Sequence, residues 1–179
     1  MAKCKECKQT KEDPMRPTCY RYECKIKYAN KHVAKQRKTK DLAYKRETKR
    51  LKDSIKTKVM WLKEAQAAFN AFIRYRDRDE PCISCRRHHT GQYHAGHYKS
   101  VGSSPELRFN EDNCHKQCAP CNNHLSGNCI EYRIHLIKKI GLDRLLEIEL
   151  YSGPAKYTAD DIKAIKQEYK DKLKELKKS

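Results

Sequence analysis

The chain has 179 residues, a length that suits one compact domain with extensions rather than two full domains. Because 36% of the residues are charged and only 37% are hydrophobic, the composition excludes a large core that would hold the chain together unaided. The net charge of +18 favours a polyanionic partner, with nucleic acid ahead of an acidic membrane surface, since the sequence shows no long apolar segment or amphipathic anchor.

The N-terminus, "MAKCKECKQTKED", has no apolar stretch of the kind found in signal peptides. We therefore expect an intracellular protein, in a compartment where thiols stay reduced. Ten cysteines in such a compartment indicate metal binding rather than a disulfide framework.

Residues 1–27 are rich in cysteine and are predicted to form a small zinc module. Cys4 and Cys7 form a CxxC pair, and Cys19 and Cys24 follow with four residues between them. Four such thiolates are the ligand set of a tetrahedral structural zinc site. The alternative is a set of free cysteines or a redox pair.

Residues 28–58 form a basic segment without Pro or Gly, predicted to be a solvated helix or a partly disordered arm. Its apolar residues are too sparse for a packed face; they are Val33, Leu42, Tyr44, Leu51 and Ile55. Residues 1–58 contain 20 Lys and Arg against 7 Asp and Glu. We expect phosphate contacts from Lys35, Arg37, Lys38, Lys45, Arg46, Lys49 and Arg50, although a charge run can also be only a solvated face.

The segment that starts near residue 59 has helical periodicity and ends before Pro81. Its apolar residues recur at steps of three and four and are predicted to pack in the core; they are Trp61, Ala65, Ala68, Phe69, Phe72 and Ile73. Three cations near its end, Arg74, Arg76 and Arg78, could contact phosphate, or could be favoured there by the helix dipole.

Two further helical segments are predicted near the C-terminus. The first is broken or turned near Gly141, and the second opens with Thr158 followed by Asp161, which is a capping pattern. An apolar stripe in the second is expected to lie in the core or against a partner helix; it comprises Ile162, Ile165, Tyr169, Leu173 and Leu176.

The centre of the chain holds two CxxC pairs, Cys82/Cys85 and Cys118/Cys121, with 32 residues between them. This spacing predicts a second structural zinc site. Since four thiolates leave no open coordination position, that zinc is not expected to be catalytic. Five histidines lie between the pairs: His88, His89, His94, His97 and His115.

The segments "YHAGHYKS", "LRFNEDNCHKQC" and "CNNHLSGN" resemble the HNH, or ββα-metal, nucleases in their zinc-knuckle form. More narrowly, residues from about Trp61 onward resemble the NinG, or Rap, recombination endonuclease family of lambdoid phages. The resemblance implies an α+β, predominantly helical fold. A small ββα-metal core would be clasped by the Cys4 zinc site, with flanking helices and the N-terminal zinc module.

The resemblance also implies roles for particular residues. His97 would be the general base. Asn113 would brace the loop and orient that histidine, and Asn122 would hold a catalytic Mg²⁺ or Mn²⁺. Many relatives have Asp or His where this chain has Gly96, so His94 is the candidate for the second metal ligand. Lys99 and Arg108 are further candidates for phosphate contacts, and His115 and His124 are secondary candidates for the site. The two remaining cysteines, Cys114 and Cys129, are expected to be buried thiols.

The predicted function is metal-dependent cleavage of branched recombination intermediates, such as Holliday junctions and D-loops, by a nuclease domain that spans residues 59–179. If the chain is phage-encoded, the expected compartment is the cytoplasm of the bacterial host. A homodimer is expected, with the C-terminal apolar stripe as candidate interface. The alternatives are a zinc-stapled protein that binds DNA or RNA without cutting it, and a structural partner of a recombinase or single-strand-binding protein.

Overall fold

The computed structural model describes residues 2–153 and 157–178. The chain forms two compact units, Met1–Lys56 and Thr57–Ser179. The fold class is α+β and predominantly helical, with one two-stranded sheet. Within the described residues, no helix combines the length and apolar character that a membrane-spanning segment needs.

The first unit consists of a short cysteine-bearing loop and one long helix, α1 (Tyr22–Ser54). The helix begins inside the segment predicted to be the zinc module, so that module and basic arm are continuous. Cys24 in its first turn is buried, and the rest of α1 is exposed or partly exposed. Of the two possibilities for the basic arm, the structure therefore has the solvated helix.

The second unit is built on two helices, α2 (Lys58–Arg76) and α5 (Ala159–Leu176). Thr57 caps α2, and Thr158 and Asp161 form the predicted capping box at α5. The Phe69 ring packs edge-on against Tyr169 with 4.8 Å between centroids.

The C-terminal apolar stripe belongs to this core rather than to an exposed interface. Ile162 and Tyr169 are buried, and Ile165 and Leu173 pack beside them against α2. Of the two positions expected for this stripe, the structure has the core, because α2 covers its apolar face; the expected homodimer stays a prediction.

Strands β1 (Tyr93–His97) and β2 (Cys114–Cys118) form an antiparallel hairpin in which His97 pairs with Cys114. A π-helical turn (Pro120–His124) follows β2 and leads to α3 (Cys129–Ile140) and α4 (Leu142–Leu150). Gly141, with φ +87°, makes the predicted break between these two helices. The Tyr132 hydroxyl on α3 donates to the carbonyl of Gly96 over 2.9 Å, which fixes α3 against the hairpin.

A buried ionic cluster joins the end of α2 to β2. Asp77 is 3% exposed, and its Oδ2 accepts hydrogen bonds from the Lys116 backbone N–H and from Arg76. Although burial opposes ionisation, hydrogen bonds from His115 and Arg76 hold the pKa of Asp77 well below its usual range. The carboxylate is therefore charged and is needed where it lies.

We expect Asp77→Ala to lower the free energy of unfolding by roughly 3–5 kcal/mol, because it leaves the half-buried Arg76 cation and the buried Lys116 amide N–H without their partner. Chemical denaturation measures this change. The matched control is Asp79→Ala, since the Asp79 side chain is 84% exposed; its effect should stay within about 0.5 kcal/mol. Equal effects of the two substitutions would contradict the structural role of Asp77.

Candidate functional site

The central cysteines converge as the CxxC spacing predicts. Their four sulfur ligands lie within 4.8 Å of one another, from Cys82, Cys85, Cys118 and Cys121. The sulfurs of Cys85 and Cys118 are 3.9 Å apart. Zinc–sulfur bonds of about 2.3 Å in a tetrahedron place the sulfurs roughly 3.8 Å apart, so the cluster fits zinc.

The N-terminal cysteines form a second cluster with the same dimensions, made of Cys4, Cys7, Cys19 and Cys24. The sulfurs of Cys7 and Cys19 are 3.8 Å apart. A hydrogen bond from the Cys7 backbone N–H is the main cause that lowers the pKa of Cys4 to about 6. That shift favours the thiolate, the form that binds metal. Both clusters are consistent with structural zinc.

A cavity of about 350 Å³ lies beside the central cluster. It brings together His97 at the end of β1 and Asn122 in the π-helical turn, 25 positions later in the sequence. Its other walls come from the segment after β1, from Ser126 and Gly127 in the turn before α3, and from Cys129 at the start of α3. Cys121 precedes Asn122 directly, so the central cysteine cluster fixes the backbone that carries this amide.

The hydrogen bonds of His97 define its tautomer. Its Nε2 lies 2.9 Å from the carbonyl oxygen of Arg108, which can only accept, so Nε2 carries the proton and Nδ1 is left with a free electron pair. Burial lowers the pKa of His97 below its ordinary value of 6.5, despite the opposing effect of that hydrogen bond. The ring is therefore a neutral base at neutral pH.

The thiol of Cys114 is the neighbour of His97 Nδ1. The Cys114 sulfur is 3.7 Å from Nδ1. Burial raises the pKa of Cys114 far above its ordinary value, so this sulfur stays protonated and its S–H donates a weak hydrogen bond to the unprotonated Nδ1. The Phe69 ring, with its centroid 6.0 Å from that of His97, supports the imidazole from the side of α2.

Asn113 lies outside the cavity and braces the loop that joins the two strands. It is fully buried; its Nδ2 donates to the carbonyls of Lys99 and Leu107, and its Oδ1 accepts from the Lys99 N–H. The chain segment that leaves His97 is thereby held in one conformation. This geometry is what a positioning residue requires.

The structure does not bring His94 together with His97 and Asn122. Successive side chains on a strand alternate between faces, and these two histidines are three positions apart on β1. His94 does not line the cavity, and its Nε2 is buried without a hydrogen-bond partner among the described residues. Its predicted role as a ligand of the catalytic metal is therefore not supported.

The side chain of Gln117 accounts for the glycine at position 96. A Cβ atom there would lie 2.1 Å from Oε1 of Gln117, so an aspartate could not be accommodated unless that amide moved.

Among the described residues, the clusters of three or more His, Cys, Asp or Glu able to hold a metal are the two Cys4 sets. Of the described side chains that line the cavity, Asn122 offers an amide oxygen to a further ion.

The residues predicted to contact DNA fall into two groups: exposed cations, and cations that already donate hydrogen bonds within the protein. Arg74 and Arg78 are exposed, as are all seven predicted cations of α1. Arg76 is only partly exposed and its guanidinium donates to Asp77 and to the carbonyl of Cys114, so few of its N–H groups are left for a phosphate, and its phosphate contact stays a prediction. The Lys99 ammonium donates to the Glu149 carbonyl, and Arg108 donates to Gln66 while remaining partly exposed.

Two features escaped prediction from the sequence. A basic pocket of about 470 Å³ is lined by Glu80, Arg86, His135, Lys138 and Lys139, which requires the fold to join segments some fifty residues apart.

Cys129, expected to be buried, is exposed and lines the cavity, whereas Cys114 is buried as expected. Cys129 opens α3 after a turn with positive φ at Ser126, Gly127 and Asn128, which the sequence signals only through its single glycine.

Comparisons with known proteins agree with one another. The family model described as Bacteriophage Lambda NinG protein matches residues 1–179. Over 126 residues, which are 70% of this chain and 62% of the relative's length, the chain is 50% identical to protein ninG of Escherichia phage lambda. Over the same share of both chains it is 49% identical to protein ninG of Salmonella phage P22. The aligned region thus spans less than two thirds of these curated relatives. No solved structure matches the chain.

Proposed function

Since the chain belongs to the NinG family of phage proteins, we propose that it is a metal-dependent endonuclease that cuts branched DNA intermediates of recombination, such as Holliday junctions and D-loops. The observation that carries this proposal is the state of His97. A half-buried histidine that donates from Nε2 to a backbone carbonyl and keeps Nδ1 unprotonated is prepared to take a proton. The order β1, β2, α3 also supports the HNH comparison.

In the proposed reaction His97 Nδ1 removes the proton from a water molecule that attacks the phosphorus atom. Asn113 acts through the loop that it holds, as a positioning residue. Arg108 both orients His97 through its carbonyl and carries a partly exposed guanidinium near the same loop. That guanidinium is suited to a phosphate oxygen.

The residues of the cavity fit a hard divalent ion held only partly by protein. Asn122 offers an amide oxygen, and Mg²⁺ commonly keeps several water ligands while using one or two protein groups and substrate phosphates. Such an ion, Mg²⁺ or Mn²⁺, would stabilise the charge that develops on the phosphate and on the leaving 3′ oxygen. Asn122 is held in place for this role because it follows Cys121 directly.

The exposed cations of both units supply the proposed DNA-binding surfaces. In the first unit these are the lysines and arginines of α1, and in the second they include Arg74, Arg86 and Lys138. Contacts of this kind neutralise backbone phosphates without reading sequence.

The second candidate function is a zinc-stapled DNA-binding accessory protein without catalytic activity, which could also recruit a recombinase or a single-strand-binding protein. The exposed basic surface of α1 and the two cysteine clusters favour it, because neither requires a reaction. This second function does not explain the tautomer of His97 or its position in the cavity.

A cleavage assay separates the two candidates. Labelled four-way junction, D-loop and linear duplex of matched sequence are incubated with the protein, with and without Mg²⁺ or Mn²⁺, after zinc content has been verified. We expect cleavage of the branched substrates only when the divalent ion is added, and little cleavage of the duplex. Binding to all three without cleavage under either ion would favour the accessory protein.

A further inference from the structure

Helix α1 and the residue that follows it carry a row of exposed apolar side chains. Tyr22, the first residue of α1, and Ile55, directly after its last, are 76% and 77% exposed, and Tyr44 is 74% exposed. The exposed apolar residues that share this face are Tyr22, Ile26, Val33, Tyr44, Leu51 and Ile55, and we call them the α1 stripe.

The spacing of the α1 stripe keeps it on one side of the helix. Four members follow at steps of 11 residues: Tyr22, Val33, Tyr44 and Ile55. Eleven residues complete almost exactly three turns, and at about 100° per residue all six members fall within an arc of roughly 60°. A helix of 33 residues is about 50 Å long, so the stripe is a narrow and extended surface.

The same spacing is read from either end of the helix. Tyr22 and Ile55, Ile26 and Leu51, and Val33 and Tyr44 are three pairs whose residue numbers each add to 77. The two cations that interrupt the stripe, Arg37 and Lys40, obey the same relation. A two-fold symmetric contact requires this property, because residue i of one chain meets residue j of the other while j meets i.

We propose that the α1 stripe is an interface for a second copy of this chain, formed by the two α1 helices packed antiparallel. Tyr22 then packs against the partner's Ile55, and Val33 against the partner's Tyr44. A tyrosine can bury roughly 150–250 Å², so six side chains offer on the order of 700 Å² per chain. This is close to the roughly 800 Å² per partner of a stable interface.

Charge sets the conditions under which this pair forms. Arg37 of one chain faces Lys40 of the other at the centre, and the flanks of α1 are mostly cationic. Repulsion between like charges opposes association, and salt screens it. Dimerisation should therefore strengthen as salt is raised, whereas binding to DNA should weaken.

The test is the mass of the full-length, zinc-loaded protein in solution, measured by sedimentation equilibrium without DNA. Wild type should show twice the chain mass of 21.1 kDa at micromolar concentration in moderate salt. Val33→Glu should raise the dissociation constant by roughly 100-fold, because it buries two carboxylates without partners. Leu42→Glu is the matched control, since Leu42 is an exposed residue of the same helix outside the stripe; it should leave the dimer intact.

A double variant distinguishes the antiparallel arrangement from other dimers. In Val33→Glu combined with Tyr44→Lys, the introduced carboxylate faces the introduced ammonium of the partner only when the helices are antiparallel, so association should be restored. A monomeric wild type, equal effects of Val33→Glu and Leu42→Glu, or no restoration in the double variant would each overturn the proposal. Because the measurement involves neither DNA nor added Mg²⁺ or Mn²⁺, its result is independent of whether the protein is a nuclease.

Discussion

Replacing His97 by alanine is expected to slow cleavage of branched DNA by roughly 100- to 10,000-fold, the usual contribution of a general base. Binding of the same DNA should be unchanged, because the proposed phosphate contacts come from Lys and Arg side chains elsewhere. Single-turnover rates on a four-way junction with saturating Mg²⁺ measure the loss. Fluorescence anisotropy with the same junction measures binding.

The control for this substitution is His88→Ala, which removes an exposed histidine of the same unit. It should keep the wild-type cleavage rate. The zinc content and thermal midpoint of His97→Ala show whether the loss is local, since Phe69 and Cys114 lose a neighbour when the ring is removed. A folded, zinc-loaded His97→Ala protein that cleaves at the wild-type rate would exclude His97 as the base.

The pH dependence of cleavage follows from the same pKa shift. The active form of His97 is neutral, and burial lowers its pKa below 6.5. The rate should therefore hold from neutral pH down to 6.5 and fall only as the pH drops through the lowered pKa of the folded protein. This acid limb belongs to the imidazole alone, so the residual rate of His97→Ala should lack it.

Several elements were predictable because their signals are local. The helical periodicity of α2, the capping pair Thr158 and Asp161, the break at Gly141 and the two cysteine clusters each depend on residues close in sequence or on a ligand spacing with few solutions. The pattern showed which face of α5 is apolar but not what covers it. Of the two positions expected for this stripe, in the core or against a partner helix, only the structure could select the core.

Two residues at the site lie where the local sequence does not place them, and the physical reason is the same for both. His94 and His97 lie on opposite faces because both belong to one strand. A five-residue strand with two histidines and a glycine is hard to predict from its sequence, because it lacks the residues typical of strands. The local sequence predicts Arg76 as a surface cation at a helix end. Its guanidinium is instead held against β2 by the carbonyl of Cys114 and the ring of His115, almost forty positions away. Contacts of this range follow from the fold and not from the local sequence.

Removal of Cys118 from the central cysteine cluster is expected to unfold the second unit. Structural zinc sites contribute roughly 10–16 kcal/mol of binding free energy, whereas a domain of this size is stable by only about 5–15 kcal/mol. Cys118 also ends β2, and Cys121 fixes the turn that carries Asn122, so the hairpin and the cavity lose their common support. We expect Cys118→Ser to lose cooperative unfolding and all cleavage, and to retain one zinc ion per chain of the expected two.

The remaining ion identifies which unit was affected. Cys7→Ser, in the N-terminal cluster, should also retain one zinc ion but keep the cooperative unfolding of the second unit, because the two clusters lie in separate units. Cys129→Ser is the control for loss of a thiol, since Cys129 is exposed and belongs to neither cluster; it should keep both ions. Elemental analysis combined with calorimetry distinguishes the three variants. If Cys118→Ser still bound two zinc ions and unfolded like wild type, the central cluster would not be a zinc site, and the position of Asn122 would need another explanation.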